Sequence, residues 1–313
     1  MIILGERYKF TEKEIILLDK KLNITINNVL YKNFSTEENI NQINNLLSLY
    51  DSKFIILNTK AAIEPDLLNY LKSIESKKIE YISIEEFMEI YLHKVIITET
   101  SFDINILEGI NDYTVSEKII KKTIDMIGVL LLFIPALLAI IYSFFKVRKE
   151  SPGDLIFHQV RVGHNEKEFT CVKLRSMHLD AEMDGPQFAL NDDPRTFPWG
   201  KTLRATKIDE LLQLWNVIKG EMHLVGPRPE RAIWTQEFKK SIPNYNQRHI
   251  VPPGITGLAQ IRYHNENGQL NAKEKLEYDL YYIKNWSVKL ELSIILETIL
   301  FVSKKIKQNL LNL

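Results

Sequence analysis

The apolar positions fall into three patterns along the chain, and each predicts a different kind of structure. Up to about residue 95, short apolar runs alternate with helically spaced leucines and isoleucines. Ile2-Ile3-Leu4, Ile15-Ile16-Leu17-Leu18, Phe54-Ile55-Ile56-Leu57 and the run 79–84 are the kind of short run that buried strands show. Between them, residues 37–49 carry Ile40, Ile43, Leu46 and Leu47 at helical spacing, and 65–76 carry Leu67, Leu68, Leu71 and Ile74. Residues 85–92 read as a further helix. This alternation predicts a small α/β unit over 1–95 with a parallel sheet. No glycine-rich phosphate loop interrupts it, so a structural or interaction role is expected there.

A connector follows at 96–117, given loop character by Thr98, Thr100, Ser101, Asn111 and Asp112. The second pattern is the charge-free stretch 126–145, MIGVLLLFIPALLAIIYSFF. Its length suffices for a straight helix to cross a hydrocarbon core of about 30 Å. Pro135, at its middle, removes a backbone hydrogen bond and favours a bend. Lys118, Lys121 and Lys122 precede the stretch, and Lys146, Arg148 and Lys149 follow it. Basic clusters favour the cytoplasmic side, and both lie there only if the segment enters and returns. A re-entrant hairpin over 118–150 is therefore favoured over a straight crossing, which would put one cluster outside. Asp125 either pairs with a nearby lysine or lies at the interface. The length and the double basic flank argue against a buried helix of a soluble domain.

The third pattern, from Ser151 to the end, is mixed and reads as a domain held close to the membrane. After a Ser151-Pro152-Gly153 turn, residues 156–163 and 169–175 alternate as two strands of a hairpin. On the second, Lys173 and Arg175 share a face, as a solvated edge or as a phosphate contact. Residues 191–195 form a loop, and 233–238 look helical. Pro252-Pro253-Gly254-Ile255-Thr256-Gly257 is a rigid turn whose glycines are free for positive φ or close approach of a ligand. A helix over 276–283 sets Asp279 among Tyr278, Tyr281 and Tyr282, either at headgroup level or half-buried. Residues 286–302, followed by Lys304-Lys305, form either an interfacial helix or a core helix.

The chemistry concentrates in residues 204–230, RATKIDELLQLWNVIKGEMHLVGPRPE. Asp209 and Glu210 precede the apolar residues Leu211, Leu212, Leu214, Trp215, Val217 and Ile218, so a helix can aim the pair at one spot while the apolar face buries. Acidic residues at a helix start also serve simply to offset the dipole. Pro227 and Pro229 fix the backbone on both sides of Arg228, a mount for a phosphate-gripping guanidinium. Lys173, Arg175, Arg195, Arg204 and Arg228 could gather round the carboxylates, and that density of cations suits a diphosphate. A carboxylate pair with such cations suggests phosphate chemistry with a hard divalent ion such as Mg²⁺.

Composition narrows the partners. The 313 residues hold 40 Lys+Arg and 40 Asp+Glu, and a net charge of zero argues against a general nucleic-acid binder. Cys171 is the sole cysteine, which rules out an intramolecular disulfide framework and a multi-cysteine zinc site and suits a small buried apolar role. MIILGERYKF reaches charges too early for a secretory signal peptide.

Taken in order, the motifs from Lys118 to Lys305 resemble the bacterial sugar transferase family, the monotopic phosphoglycosyl transferases. They are Lys121-Lys122-x-x-Asp125, the proline-broken apolar segment, Ser151-Pro152-Gly153 and Gln159-x-Arg161-x-Gly163. Lys173-x-Arg175-Ser176-Met177, Asp193-Pro194-Arg195, Asp209-Glu210 and Asn216-Val217-x-x-Gly220 come next. Val225-Gly226-Pro227-Arg228-Pro229-Glu230, Pro253-Gly254-Ile255-Thr256-Gly257 and Asp279-x-Tyr281-Tyr282 complete the set. The resemblance implies an α/β N-terminal accessory domain plus a mixed α+β membrane-associated catalytic domain, at 151–313, with a re-entrant membrane helix hairpin. It implies transfer of a sugar 1-phosphate from a UDP-sugar to undecaprenyl or another polyprenol phosphate, releasing UMP and starting assembly of a cell-surface glycan. Asp209 is then the nucleophile that forms a phosphosugar intermediate, with Glu210 its partner and both carboxylates at Mg²⁺. Lys173, Arg175, Arg204, Arg228 and Asp279 are the implied substrate contacts. The implied site of action is the cytoplasmic face of the inner membrane, among membrane lipid, with downstream glycosyltransferases or self-association as further partners. Leu212 stands where the family often has proline, Lys122 replaces an arginine, and Tyr263-His264-Asn265 replaces a glycine–arginine pattern. The competing reading is a membrane-anchored interaction or regulatory homologue without activity, and a soluble nucleotide-sugar enzyme is a third.

Overall fold

The computed structural model describes residues 1–23, 26–29, 35–50, 52, 54–59, 62–75, 79–97, 108–183, 185–188, 190, 192–262 and 272–311. Thr98, Thr100 and Ser101 of the connector, Asn191, and the Tyr263-His264-Asn265 departure lie outside these residues. The chain divides into two compact units, Met1–Ile96 and Ile97–Leu313.

The first unit follows the strand–helix alternation. Strands β1 (Ile2–Leu4), β2 (Asn27–Val29), β3 (Phe54–Leu57) and β4 (Glu80–Ser83) form a parallel sheet in the order β2-β1-β3-β4. Successive residues of a strand face opposite sides of a sheet, and here they enter opposite cores. Ile3, Phe54 and Ile56 pack with Leu18 of α1 (Glu12–Leu22), with Phe87 of α4 (Ile84–Phe87), and with the π-helical turn Met88–Leu92. Ile2, Leu4 and Ile55 pack with Ile43 of α2 (Thr36–Leu49) and Leu67, Leu71 and Ile74 of α3 (Pro65–Glu75). One expectation is corrected: Ile15-Ile16-Leu17-Leu18 is helical. A capping box between Thr11 and Glu14 starts α1, Lys20 and Lys21 favour its last turn, and Asn23 ends it in the left-handed region. Only Leu18 of the four reaches the core.

The second unit opens with α5, a single 36-residue helix, Val115–Glu150, begun by a Thr114–Glu117 capping box. The expected helix–break–helix is not interrupted: Pro135 lies inside α5. Its buried positions are Lys121, Asp125, Val129, Ala136, Ser143 and Val147. At 100° per residue they fall within an arc of about 80°, so one stripe is docked along the length of the helix. Leu130, Leu131, Phe133, Ile134, Leu138, Ile141 and Phe145 are exposed. Only 17% of the most apolar window is buried, and the helix is long and apolar enough to cross a membrane.

The lysines ahead of the apolar stretch do not form a free basic collar. Lys118 pairs with Asp112 at 2.6 Å, and Lys122 donates to the carbonyls of Val217 and Ile218. Lys121 is fully buried and donates to Val225 O, Tyr282 OH and Glu291 Oε1. Asp125 pairs with none of them. It accepts from the Leu224 N–H at 2.9 Å and meets the His223 imidazole.

Beyond α5, strands β5 (Ile156–Val162) and β6 (Glu168–Leu174) form the expected antiparallel hairpin. Helix α6 (Pro198–Thr206) leads into a 3₁₀ segment, Ile208–Gln213, and then α7 (Leu214–Lys219). Strand β7 (His223–Val225) pairs in parallel with β8 (Gly254–Thr256). Helix α8 (Ala232–Ser241) and a 3₁₀ turn (Tyr245–His249) lie between them in sequence; α9 (Leu258–Arg262), α10 (Ala272–Lys284) and α11 (Val288–Leu311) follow. The glycines after β7 and around β8 approach one another. A Cβ at Gly254 would lie 2.0 Å from Gly226 N, and one at Gly257 would lie 2.2 Å from Gly226 O. Positive φ or approach of a ligand was expected of these glycines; Gly254 and Gly257 are not at positive φ, and what comes close to them is backbone, which locks the root of the Pro227-Arg228-Pro229 loop.

Candidate active site

Asp209 and Glu210 lie in the first turn of the 3₁₀ segment, which Lys207 sets off from α6 by turning left-handed at φ 60°. Both carboxylates are buried, at 8% and 6% exposure, which a solvated pair offsetting a helix dipole would not be. Their surroundings differ. Glu210 Oε1 accepts from Arg228 Nη2 at 2.7 Å and from Lys173 Nζ at 3.3 Å. Asp209 Oδ1 is buried and has no hydrogen-bond partner among the described residues.

These surroundings separate the two acids. Burial, and then the charge of Glu210, push Asp209 up to about 6, against the opposing pull of Lys173, Lys207 and Arg204. Burial acts to raise Glu210 as well, but Arg228 and Lys173 hold it well below the ordinary carboxylate range. Glu210 in turn raises Arg228, and burial lowers Lys173. One carboxylate is thus held charged by two cations, while the other has a buried oxygen with no hydrogen bond among the described residues.

Of the expected contacts, the structure brings Lys173 and Arg228 to the pair, and Arg204 acts on Asp209 through its charge. The guanidinium of Arg175 is not part of this cluster. Strand β6 ends at Leu174, so the alternation linking Arg175 to Lys173 stops there. Its guanidinium bonds Ser151 O, Ser151 Oγ and Asp154 O, clamping the turn after α5. Arg195 closes on Asp193, two residues away in its own loop, and holds that carboxyl well below the usual range. Asp279 is buried against Arg248, with Nε at 3.0 Å and Nη2 at 2.7 Å.

Arg248 carries no motif that singled it out in the sequence. Its Nη2 also donates to Arg228 O at 2.9 Å and its Nη1 to Tyr245 OH at 2.8 Å. It therefore supports the loop that presents Arg228. Arg161 supports the same loop, donating to Pro229 O at 3.0 Å with Glu230 as its charge partner. Only the Gln159-x-Arg161 motif hinted at this. Cys171 is buried, as expected of a lone small apolar residue.

Among the described residues, no group of three or more His, Cys, Asp or Glu gathers to hold a metal. The site offers two adjacent carboxylates, one with a buried, unpartnered oxygen. That donor set fits Mg²⁺, which is commonly held by one or two carboxylates, with water and substrate phosphates filling the rest.

The site is thus a buried acid pair braced by cations, in a unit whose first helix exposes a long apolar face. The profile of the bacterial sugar transferase family matches residues 116–305, and the chain belongs to that family. Three relatives illustrate the match. The UDP-N-acetylgalactosamine-undecaprenyl-phosphate N-acetylgalactosaminephosphotransferase of Aeromonas hydrophila is 41% identical over 183 residues, 58% of this chain and 43% of the relative. The UDP-glucose:undecaprenyl-phosphate glucose-1-phosphate transferase of Klebsiella pneumoniae is 40% identical over 205 residues, 63% of this chain and 42% of the relative. The protein of the same description from Caulobacter vibrioides is 38% identical over 187 residues, 57% of this chain and 68% of the relative. The matched region spans less than half the length of the first two relatives.

Proposed function

We propose that this chain transfers a sugar 1-phosphate from a UDP-sugar to a polyprenol phosphate, undecaprenyl phosphate in a bacterial membrane, through an intermediate on Asp209. The observation that carries the reading is the asymmetry of the acid pair: Glu210 is engaged by Arg228 and Lys173, and Asp209 has a buried oxygen with no partner. In the first step a carboxylate oxygen of Asp209 attacks the phosphorus that bears the sugar, and the bond to the bridging oxygen breaks as UMP leaves. In the second, an oxygen of the polyprenol phosphate attacks the same phosphorus. Asp209 departs as a carboxylate, leaving a polyprenyl-diphosphate sugar. Arg228, Lys173 and Arg204 supply positive charge where anionic nucleophile and anionic phosphate must approach. Asp209 and Glu210 would hold Mg²⁺, which when bound offsets charge on the donor diphosphate.

The acceptor's phosphate lies at headgroup level and its tail in the bilayer, so the site must sit at the interface. We read α5 as immersing its exposed apolar face in one leaflet, on the cytoplasmic face, without crossing the bilayer. The docked stripe from Lys121 to Val147 supports this, because a straight crossing would draw the polar unit packed against it into the bilayer. The exposed face opposite is left for lipid.

The test uses detergent-solubilised protein with Mg²⁺, undecaprenyl phosphate and a panel of UDP-sugars that includes UDP-glucose and UDP-N-acetylgalactosamine. UMP release with one donor, lost in Asp209→Asn, is expected. A mass increase of one phosphosugar on the protein, with donor alone, is expected in the wild type and absent in that variant. Release of UMP by Asp209→Asn at the wild-type rate would overturn the reading.

A further inference from the structure

Two segments distant in sequence meet at the acid pair. Strand β6 carries Lys173, and the run from Ile208 into α7 carries Asp209, Glu210 and, six residues beyond Glu210, Asn216. Strand β6 belongs to a two-stranded sheet, so β5 covers one edge only. Backbone groups on the other edge need partners, because a buried N–H or C=O left without one is costly.

One side chain meets two of them. Asn216 is fully buried. Its Oδ1 accepts from Val172 N at 3.2 Å, and its Nδ2 donates to Thr170 O at 2.8 Å. The same Nδ2 donates to Glu221 Oε2 at 2.7 Å, which fixes the orientation of the carboxamide. Asn216 thus stands in for one residue of a neighbouring strand, accepting and donating along the open edge of β6. Lys173 follows Val172 directly, and its ammonium lies 3.3 Å from Glu210 Oε1, the oxygen that also takes Arg228. The dyad segment is therefore registered against β6 at two points, an ion pair and an amide pair.

We propose that Asn216 is a positioning residue: by holding the open edge of β6 it fixes Lys173 against the Asp209–Glu210 pair. Its consequence for turnover rests on the transfer reading above; the juxtaposition itself does not. A side chain that only satisfied the strand edge would affect stability but would act independently of Lys173.

The experiment is a double-mutant cycle on the full chain in detergent, comparing wild type, Asn216→Ala, Lys173→Met and the double variant. Val217→Ala, a buried neighbour on α7, serves as the packing control. With a donor that the wild type turns over, Asn216→Ala is expected to lower kcat about tenfold, with a smaller change in donor KM. In the Lys173→Met background the same change is expected to cost little more, because the group it places is gone. The cost of Val217→Ala should be the same in both backgrounds. An equal fold-loss from Asn216→Ala with and without Lys173 would overturn the proposal. If the wild type releases UMP from no donor, the transfer reading fails, and the melting temperatures of the same four proteins decide the positioning claim. Non-additive shifts then support it and additive shifts overturn it. Should Asn216→Ala not fold, Asn216→Asp/Glu221→Gln takes its place, keeping the size of both side chains.

Discussion

The two units bury different things. In the first, a parallel sheet separates two apolar clusters, and its strands send alternate residues to each. Its buried charged side chains among the described residues are Lys94 and Glu14, and they pair with each other at 2.8 Å. The second unit buries Lys121, Asp125, Arg175, Asp193, Asp209, Glu210, Arg248, Asp279 and Glu291. Most of these meet an opposite charge, as Lys121 meets Glu291 at 2.7 Å and Arg248 meets Asp279. Arg175 is held by Ser151 and the Asp154 carbonyl instead, and Asp209 is the exception among the carboxylates, with an oxygen that no side chain among the described residues answers. Apolar burial stabilises a fold without dictating where a given group must point. Buried charge is costly and directional, and is worth its cost where a reaction needs fixed electrostatics.

The largest expected effect tests that exception. Asp209→Asn should lower UMP release by about a thousandfold or more. It should also raise the melting temperature, measured in EDTA near neutral pH. The folded protein holds the Asp209 proton more tightly than the unfolded chain does, since its value is raised to about 6. Ionising it therefore costs stability as pH rises through the window between the ordinary carboxylate value and about 6, and asparagine removes that cost. The stability gain should shrink toward zero below that window. A variant that lost activity and stability together would place Asp209 among the ordinary structural charges.

Next comes the pair that joins α5 to α11. Lys121→Met leaves Glu291 buried without its cation, and a loss of about 3–5 kcal/mol is expected by chemical denaturation. Lys121→Met/Glu291→Leu should recover much of it. In the first unit, Ile56→Ala opens a cavity in an apolar cluster and should cost about 2–5 kcal/mol, with no partner change able to restore it. The smallest effect is local: Thr11→Ala removes the cap of α1 and should cost about 1 kcal/mol. Equal recovery in the two units would erase the contrast between them.

Much of this arrangement was legible in the sequence, for reasons that differ by element. Strands β1, β3 and β4 announced themselves as short apolar runs and the β5–β6 hairpin by its two-residue alternation, whereas β2, Asn27-Asn28-Val29, has no apolar run and was missed. The Asp209-Glu210 pair and the proline-flanked Arg228 stood out because adjacency is local. Where local signals competed, reading failed: the apolar run 15–18 suggested a strand, yet the Thr11–Glu14 capping box beside it forms a helix. The charge clusters misled in another way. Lys118, Lys121 and Lys122 look alike as a basic flank, but one pairs with a nearby aspartate, one is buried against Glu291 and one donates to helix carbonyls.

By itself, then, the sequence determined most of the elements, the apolar stretch of α5 and the candidate nucleophile with its neighbour. Which cation meets which carboxylate was decided only in three dimensions. Lys173 and Arg175 are two residues apart, and the end of β6 sends one to Glu210 and the other to Ser151. Arg248 reaches Asp279 across 31 positions, and Lys121 reaches Glu291 across 170. No periodicity spans such separations. These partners are selected when the packed backbone brings two buried groups within hydrogen-bond distance and leaves water no place to serve either.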